Sequence, residues 1–214
     1  MSYSISQTVR ELAEPKLAKF TAKLLPTVDP ARILGVRTPA LRKLSKKLLR
    51  EHPQEVTEFM AAAPHDFQEE DLLHVLLLNE ERDFATWHTE ITSFLPYMTN
   101  WTLTDAVSPA CVKGGKAANL PKLERSCLNW MLDDRVYVQR LGVVVLMSLL
   151  GTEYFSPEHL RAVAALAGSD EYYVQVAVAW YFAEALARQE HAALPWFALA
   201  DSSDGTDSPG LPAV

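Results

Sequence analysis

The stretch Asp134-Arg135-Val136-Tyr137-Val138-Gln139 returns 36 residues later as Asp170-Glu171-Tyr172-Tyr173-Val174-Gln175, and each copy runs into an apolar, helix-forming segment. A self-echo of roughly 35 to 45 residues is the spacing of a helical hairpin, a unit that buries its apolar face only by stacking on its neighbours. The echo therefore predicts an all-α chain, a HEAT-like or armadillo-type α-solenoid of stacked helical hairpins. Carried back once more, the same offset sets Trp101 against Tyr137 and Asp105 against Leu141. Segments 101–108, 136–150 and 172–188 are then expected as equivalent helices, side by side in a right-handed stack of about five or six hairpins.

Toward the N-terminus, apolar residues at Ile5, Val9, Leu12, Leu17, Phe20 and Leu24 recur with a helical period that Pro15 breaks or restarts. Asp29-Pro30 marks a turn. Gly35-Val36-Arg37-Thr38-Pro39 reads as a helix start, with Thr38 as N-cap and Pro39 in the first helical position. The helix that follows to about Glu51 buries Leu41, Leu44, Leu48 and Leu49. Its other side carries Arg42, Lys43, Lys46, Lys47 and Arg50, either an ordinary solvated face or one that meets a polyanion. Further helices are expected at about 54–63, 68–80, 84–97 and 120–132, and no strand-like alternation bounded by hairpin signals occurs. Lys113-Gly114-Gly115-Lys116 lacks the spacing of a P-loop. It reads as a turn, with the alternative that its lysines and amides touch a phosphate. One domain over 1–200 is expected, and the Ser, Asp, Gly and Pro of 201–214 read as a disordered tail.

The net charge of −7 means that attraction to a polyanion has to come from a local patch rather than from the field of the whole molecule. The longest apolar runs, such as 141–150, are too short to span a bilayer, and Met-Ser-Tyr-Ser-Ile-Ser-Gln lacks the plan of a signal peptide. A soluble, cytoplasmic protein is expected. Cys111 and Cys127 form no ligand pattern and read as small buried hydrophobes, and the six histidines are scattered without metal-ligand spacing.

Thr99-Asn100-Trp101-Thr102-Leu103-Thr104-Asp105 supplies the candidate chemistry. Thr99 or Asn100 can cap a helix on which Trp101 and Asp105, one turn apart, share a face. In the repeat register, Arg140 lies one position before the equivalent of Asp105, and Trp180 one turn beyond the equivalent of Arg140. A carboxylate, a cation and two indole walls suit a cationic, sugar-bearing ligand. The other reading is packing between repeats, with Asp105 and Arg140 simply paired.

Gly35-Val36-Arg37-Thr38-Pro39 with Leu41-Arg42, then Asn100-Trp101 with Asp105, then Arg140 and Trp180, together resemble the DNA alkylation repair family of HEAT-like DNA glycosylases, over about residues 5–190. The resemblance implies Asp105 as catalytic carboxylate, Trp101 and Trp180 packed on the backbone sugar around a lesion, and Arg140 holding DNA. It also implies hydrolysis of the N-glycosidic bond of cationic N3- or N7-alkyl purines in double-stranded DNA, by a monomer that needs no cofactor and no metal. Lys43, Lys46, Lys47, Lys113 and Lys116 are the further candidates for DNA contact. The chain departs from the family in its acidic balance and in an ordered part that stops near Ala200. The alternative is thus a catalytically inactive HEAT-repeat relative, a DNA- or protein-binding module.

Overall fold

The computed structural model describes residues 3–113 and 117–198, so Lys116 and the 201–214 tail lie outside the described residues. Every regular element among the described residues is helical, and none of these helices is long and apolar enough to cross a membrane. The chain divides into two compact units, Met1–Gly115 and Lys116–Val214.

The first unit comprises α1 (Ile5–Glu11), α2 (Pro15–Leu24), α3 (Thr38–Glu51), α4 (Pro53–Ala61), α5 (Gln68–Leu78), α6 (Phe84–Phe94) and α7 (Trp101–Thr104). Helix α5 is its centre and packs against α1, α3, α6 and α7. Every residue of α5 is buried, because Leu72, Leu73, Val75, Leu76, Leu77 and Leu78 leave no polar stripe to face water. Its first turn, Gln68-Glu69-Glu70-Asp71, is drawn in with it, and each of these polar side chains has its own partner. The Gln68 amide donates to Asn100 Oδ1 at 3.3 Å and accepts from Asn100 Nδ2 at 2.8 Å. The Glu69 carboxylate accepts from three successive backbone amides, Leu34 at 2.9 Å, Gly35 at 2.6 Å and Val36 at 3.2 Å. Glu70 accepts from the Phe67 amide at 3.2 Å, and Asp71 accepts from Arg32 Nη2 at 2.9 Å.

Gly35 makes the three-amide seat for Glu69 feasible. Its φ of 77° is in the left-handed region, and a Cβ there would stand 2.3 Å from the Ala18 amide nitrogen. The Gly35-to-Pro39 motif is therefore a carboxylate-binding turn followed by a helix. Thr38 is not the N-cap that the sequence predicts: it lies inside α3, whose N-cap is Arg37 with no side-chain cap bond. Arg37 takes the cap position because its carbonyl already accepts from the Ala40 and Leu41 amides, at 2.9 and 3.2 Å, while its own backbone is extended; its side chain forms a two-pronged pair with Glu14 at 2.8 and 2.9 Å.

A buried histidine pair completes this core. His65 Nε2 and His74 Nδ1 are 2.9 Å apart, with His65 stacked on Phe59 and His74 on Phe94. Burial lowers His65 to about 4 and His74 to about 3, so both rings are neutral near pH 7.

The second unit holds α8 (Leu120–Met131), α9 (Val136–Leu146), α10 (Pro157–Ala164), α11 (Tyr172–Arg188), α12 (Glu190–Ala193) and α13 (Pro195–Ala198). Helix α9 packs against both α8 and α11, and the rings of Tyr137 and Tyr173 are 5.5 Å apart. The two copies of the sequence echo thus lie side by side. Gly142 allows the close approach of α8, since a Cβ on it would come within 2.6 Å of the Cys127 carbonyl oxygen and 2.7 Å of Met131 Cγ. Cys111 and Cys127 are fully buried, and burial pushes the Cys127 thiol well above its ordinary range. The buried His159 accepts from the Ser156 amide through Nδ1 and meets Glu124 through Nε2 at 2.7 Å, which places the proton of that bond on Nε2.

Candidate functional site

The segment that carries Trp101 and Asp105 is shorter than the sequence predicts. Helix α7 closes after one turn, at Thr104, and Asp105 is its C-cap rather than an interior residue. The reason lies downstream, where 106–110 is pulled out of helix by Asn79. The Asn79 side chain donates to the Ala106 carbonyl at 2.8 Å and accepts from the Ser108 amide at 2.7 Å, while its own carbonyl accepts from the Ala110 amide at 2.7 Å. At the other end, Asn100 caps α7 by accepting from the Thr102 amide at 3.1 Å. Asn100 is wholly buried, and Gln68 binds both its amide and the Thr102 hydroxyl, the latter at 2.8 Å. A single turn of helix has no stability of its own, so these fixed amides before and after it are what hold its geometry.

Trp101 is half-buried on this turn. Its indole N–H donates to the Leu24 carbonyl at 3.1 Å, at the open end of α2, and its ring packs on Leu25, Val28 and Ile33. The indole therefore has a fixed orientation. It also borders a cleft of about 350 Å³ whose walls include Leu17, Leu24, Arg37, Pro39 and Thr102. Asp105 is half-buried, and its Oδ1 lies 3.0 Å from the Thr104 hydroxyl. That hydroxyl also sits 3.0 Å from the Trp101 carbonyl, so its one proton serves two acceptors.

Of the cationic candidates, Lys46 and Lys113 share a second cleft, of about 290 Å³, together with Arg42. Lys43 and Lys47 do not line it, and Lys47 faces Glu51 at 3.8 Å.

Arg140 and Trp180 belong to the second unit. Arg140, on α9, is only 4% exposed, and its Nη1 donates to the Tyr173 carbonyl at 2.8 Å. It ties α9 to the first turn of α11. Trp180 is on α11 and is 41% exposed, seven residues and hence about two turns beyond Tyr173. With Tyr172 and Val176 it forms an exposed apolar stripe at four-residue spacing.

The sequence reading pairs Trp101 with Asp105, and the structure sets them at the two ends of one turn. It does not find Asn79, Gln68 or the role of Arg42. Asn79 bonds main-chain atoms 27 to 31 residues away, and such partners leave no side-chain pattern to read. Gln68 had one legible signal, four polar residues set directly against an unbroken apolar run.

No curated protein matches this chain. Residues 5–199 match the family model described as DNA alkylation repair enzyme. With that match running through both units, the chain belongs to the DNA alkylation repair enzyme family.

Proposed function

We propose that the chain is a DNA glycosylase that removes cationic N3- or N7-alkyl purines from double-stranded DNA. Family membership supports a role in DNA repair. The observation that carries the finer reading is Asp105 beside Trp101 on a one-turn helix clamped by Gln68 ahead of it and Asn79 behind it. Such clamping is the preorganisation that stabilising a transient charge requires.

In this reaction the bond from C1′ to the purine nitrogen breaks and its electron pair returns to the base, which leaves neutral. Positive charge develops on the deoxyribose, and the Asp105 carboxylate stabilises it while a water oxygen bonds to C1′ and gives up its proton to the surrounding solvent. The products are an abasic site and a free alkylpurine. The leaving base already carries the charge, so this chemistry needs no cofactor. Trp101 serves as a flat wall for sugar and cation, worth about 0.5–2 kcal/mol, and Trp180 offers an exposed indole face on the second unit. Lys43, Lys46, Lys47 and Lys113 supply the local charge, with Lys116, and Arg140 supports binding only indirectly, by tying α9 to α11. The protein acts as a monomer.

The test is release of methylated purine from alkylated duplex DNA. Wild type should release it, and Asp105→Asn should lose most of the rate while keeping the fold and much of the DNA affinity. No release by wild type would instead favour a non-catalytic binding module, a reading that the burial of Arg140 supports.

A further inference from the structure

The cleft of about 290 Å³ between α3 and the segment after Asp105 gathers three cationic side chains. Arg42 and Lys46, one turn apart on α3, face Lys113 across it, with Ser45, Asn79, Ser108 and a single carboxylate, Glu80, also on its walls. Of the other cations on α3, Lys47 and Arg50 both pair with Glu51, at 3.8 and 3.3 Å, and Lys43 does not line the cleft. None of Arg42, Lys46 and Lys113 forms an ion pair among the described residues. Like charges at four-residue spacing on a helix repel each other, a repulsion that a bound anion would reverse. The volume equals roughly ten water molecules at ~30 Å³ each, enough for a tetrahedral anion with its nearest waters.

We propose that this cleft seats one phosphate group, and specifically a backbone phosphate of the strand whose sugar meets Asp105. The proposal rests on the reading that the chain binds DNA and names the contact that fixes the register. Ser108 lines the cleft and is three residues after Asp105, so their Cα atoms stand at most about 10–11 Å apart. The stretch between them is held by Asn79, through the Ala106 carbonyl and the Ser108 amide. A strand gripped at the cleft is therefore fixed within a nucleotide or two of the carboxylate. Arg42 provides the fork that can bind two oxygens, and the lysines act as point charges.

The experiment uses the full chain and the triple variant Arg42→Gln, Lys46→Gln, Lys113→Gln, all surface side chains whose loss is read against an unchanged helical spectrum. Duplex DNA binding is measured from 50 to 300 mM salt, and protection from thermal unfolding is measured with inorganic phosphate alone. If the cleft holds one DNA phosphate, the plot of log affinity against log salt becomes shallower by about 0.9 in the variant. If wild type binds no DNA, the glycosylase reading fails. The cleft then survives only as a site for a free anion, shown by saturable protection with phosphate that the variant loses. An unchanged salt slope overturns the proposal, as does the absence of both DNA binding and phosphate protection.

Discussion

A single amide side chain decides where the carboxylate of this protein stands. Asn79 occupies the end of α5, yet both ends of its amide are engaged by the segment after Asp105. Asn79→Ala removes two hydrogen bonds and leaves the Ala106 carbonyl and the Ser108 amide without their partner, so about 1–3 kcal/mol of stability should be lost. Excision should fall further than DNA affinity does, because the loop that places Asp105 loosens while the cationic side chains remain. The comparison of single-turnover excision with equilibrium binding checks this. Equal losses in both would mean that Asn79 serves the fold alone. Asp105→Asn is the complementary change: it keeps the shape and deletes the charge, and should therefore affect excision with little effect on the unfolding midpoint.

Among the elements, the contact of α8 with α9 is the least forgiving. Gly142 faces main chain on α8, the Cys127 carbonyl, which cannot move aside as a side-chain tip could. Gly142→Ala should lower stability by roughly 1–3 kcal/mol through overpacking, even though alanine is the better helix former. Urea unfolding of the variant measures it, and a gain in stability would show that the helices separate without penalty. This scale is also where the sequence was most legible. Helical period located α1 to α6, α8, α9 and α11 to within a few residues but left α10 unforeseen, and the 36-residue echo placed α9 beside α11. What escaped was set by tertiary contacts. Helix α7 stops at Thr104 because Asn79 captures the next residues. At the site, Trp101 and Asp105 were legible because their spacing is local. The burial of Arg140 was not, because its partner is a carbonyl on another helix.

Across the whole molecule, buried titratable groups give stability a direction with pH. Unfolded histidines take up protons below about pH 6.5, while the buried pair does so only near 4 and 3. Their contribution is full above pH 6.5 and is lost as pH falls. Asp71 acts in the opposite sense: burial raises it to about 6 against the pull of Arg32, so its contribution is full below 3.8 and is lost as pH rises through about 6. Two histidines outweigh one carboxylate, and stability should fall by about 1 kcal/mol per pH unit between 6.5 and 5. Urea midpoints across that window measure the slope. The double variant His65→Leu/His74→Leu removes both partners of their hydrogen bond, and it should flatten or invert the slope; an unchanged slope would place its origin elsewhere. The first turn of α5 has a different consequence, for the substitutions that this chain can tolerate. A lost ion pair is ordinarily recoverable, because the partner side chain can change in step. Glu69, however, is held by the amides of Leu34, Gly35 and Val36, and the only codon change that alters such a donor, to proline, deletes it rather than adapting it. Changes at Glu69 have no compensating partner there, so drift at that position is closed whatever happens at Asp105.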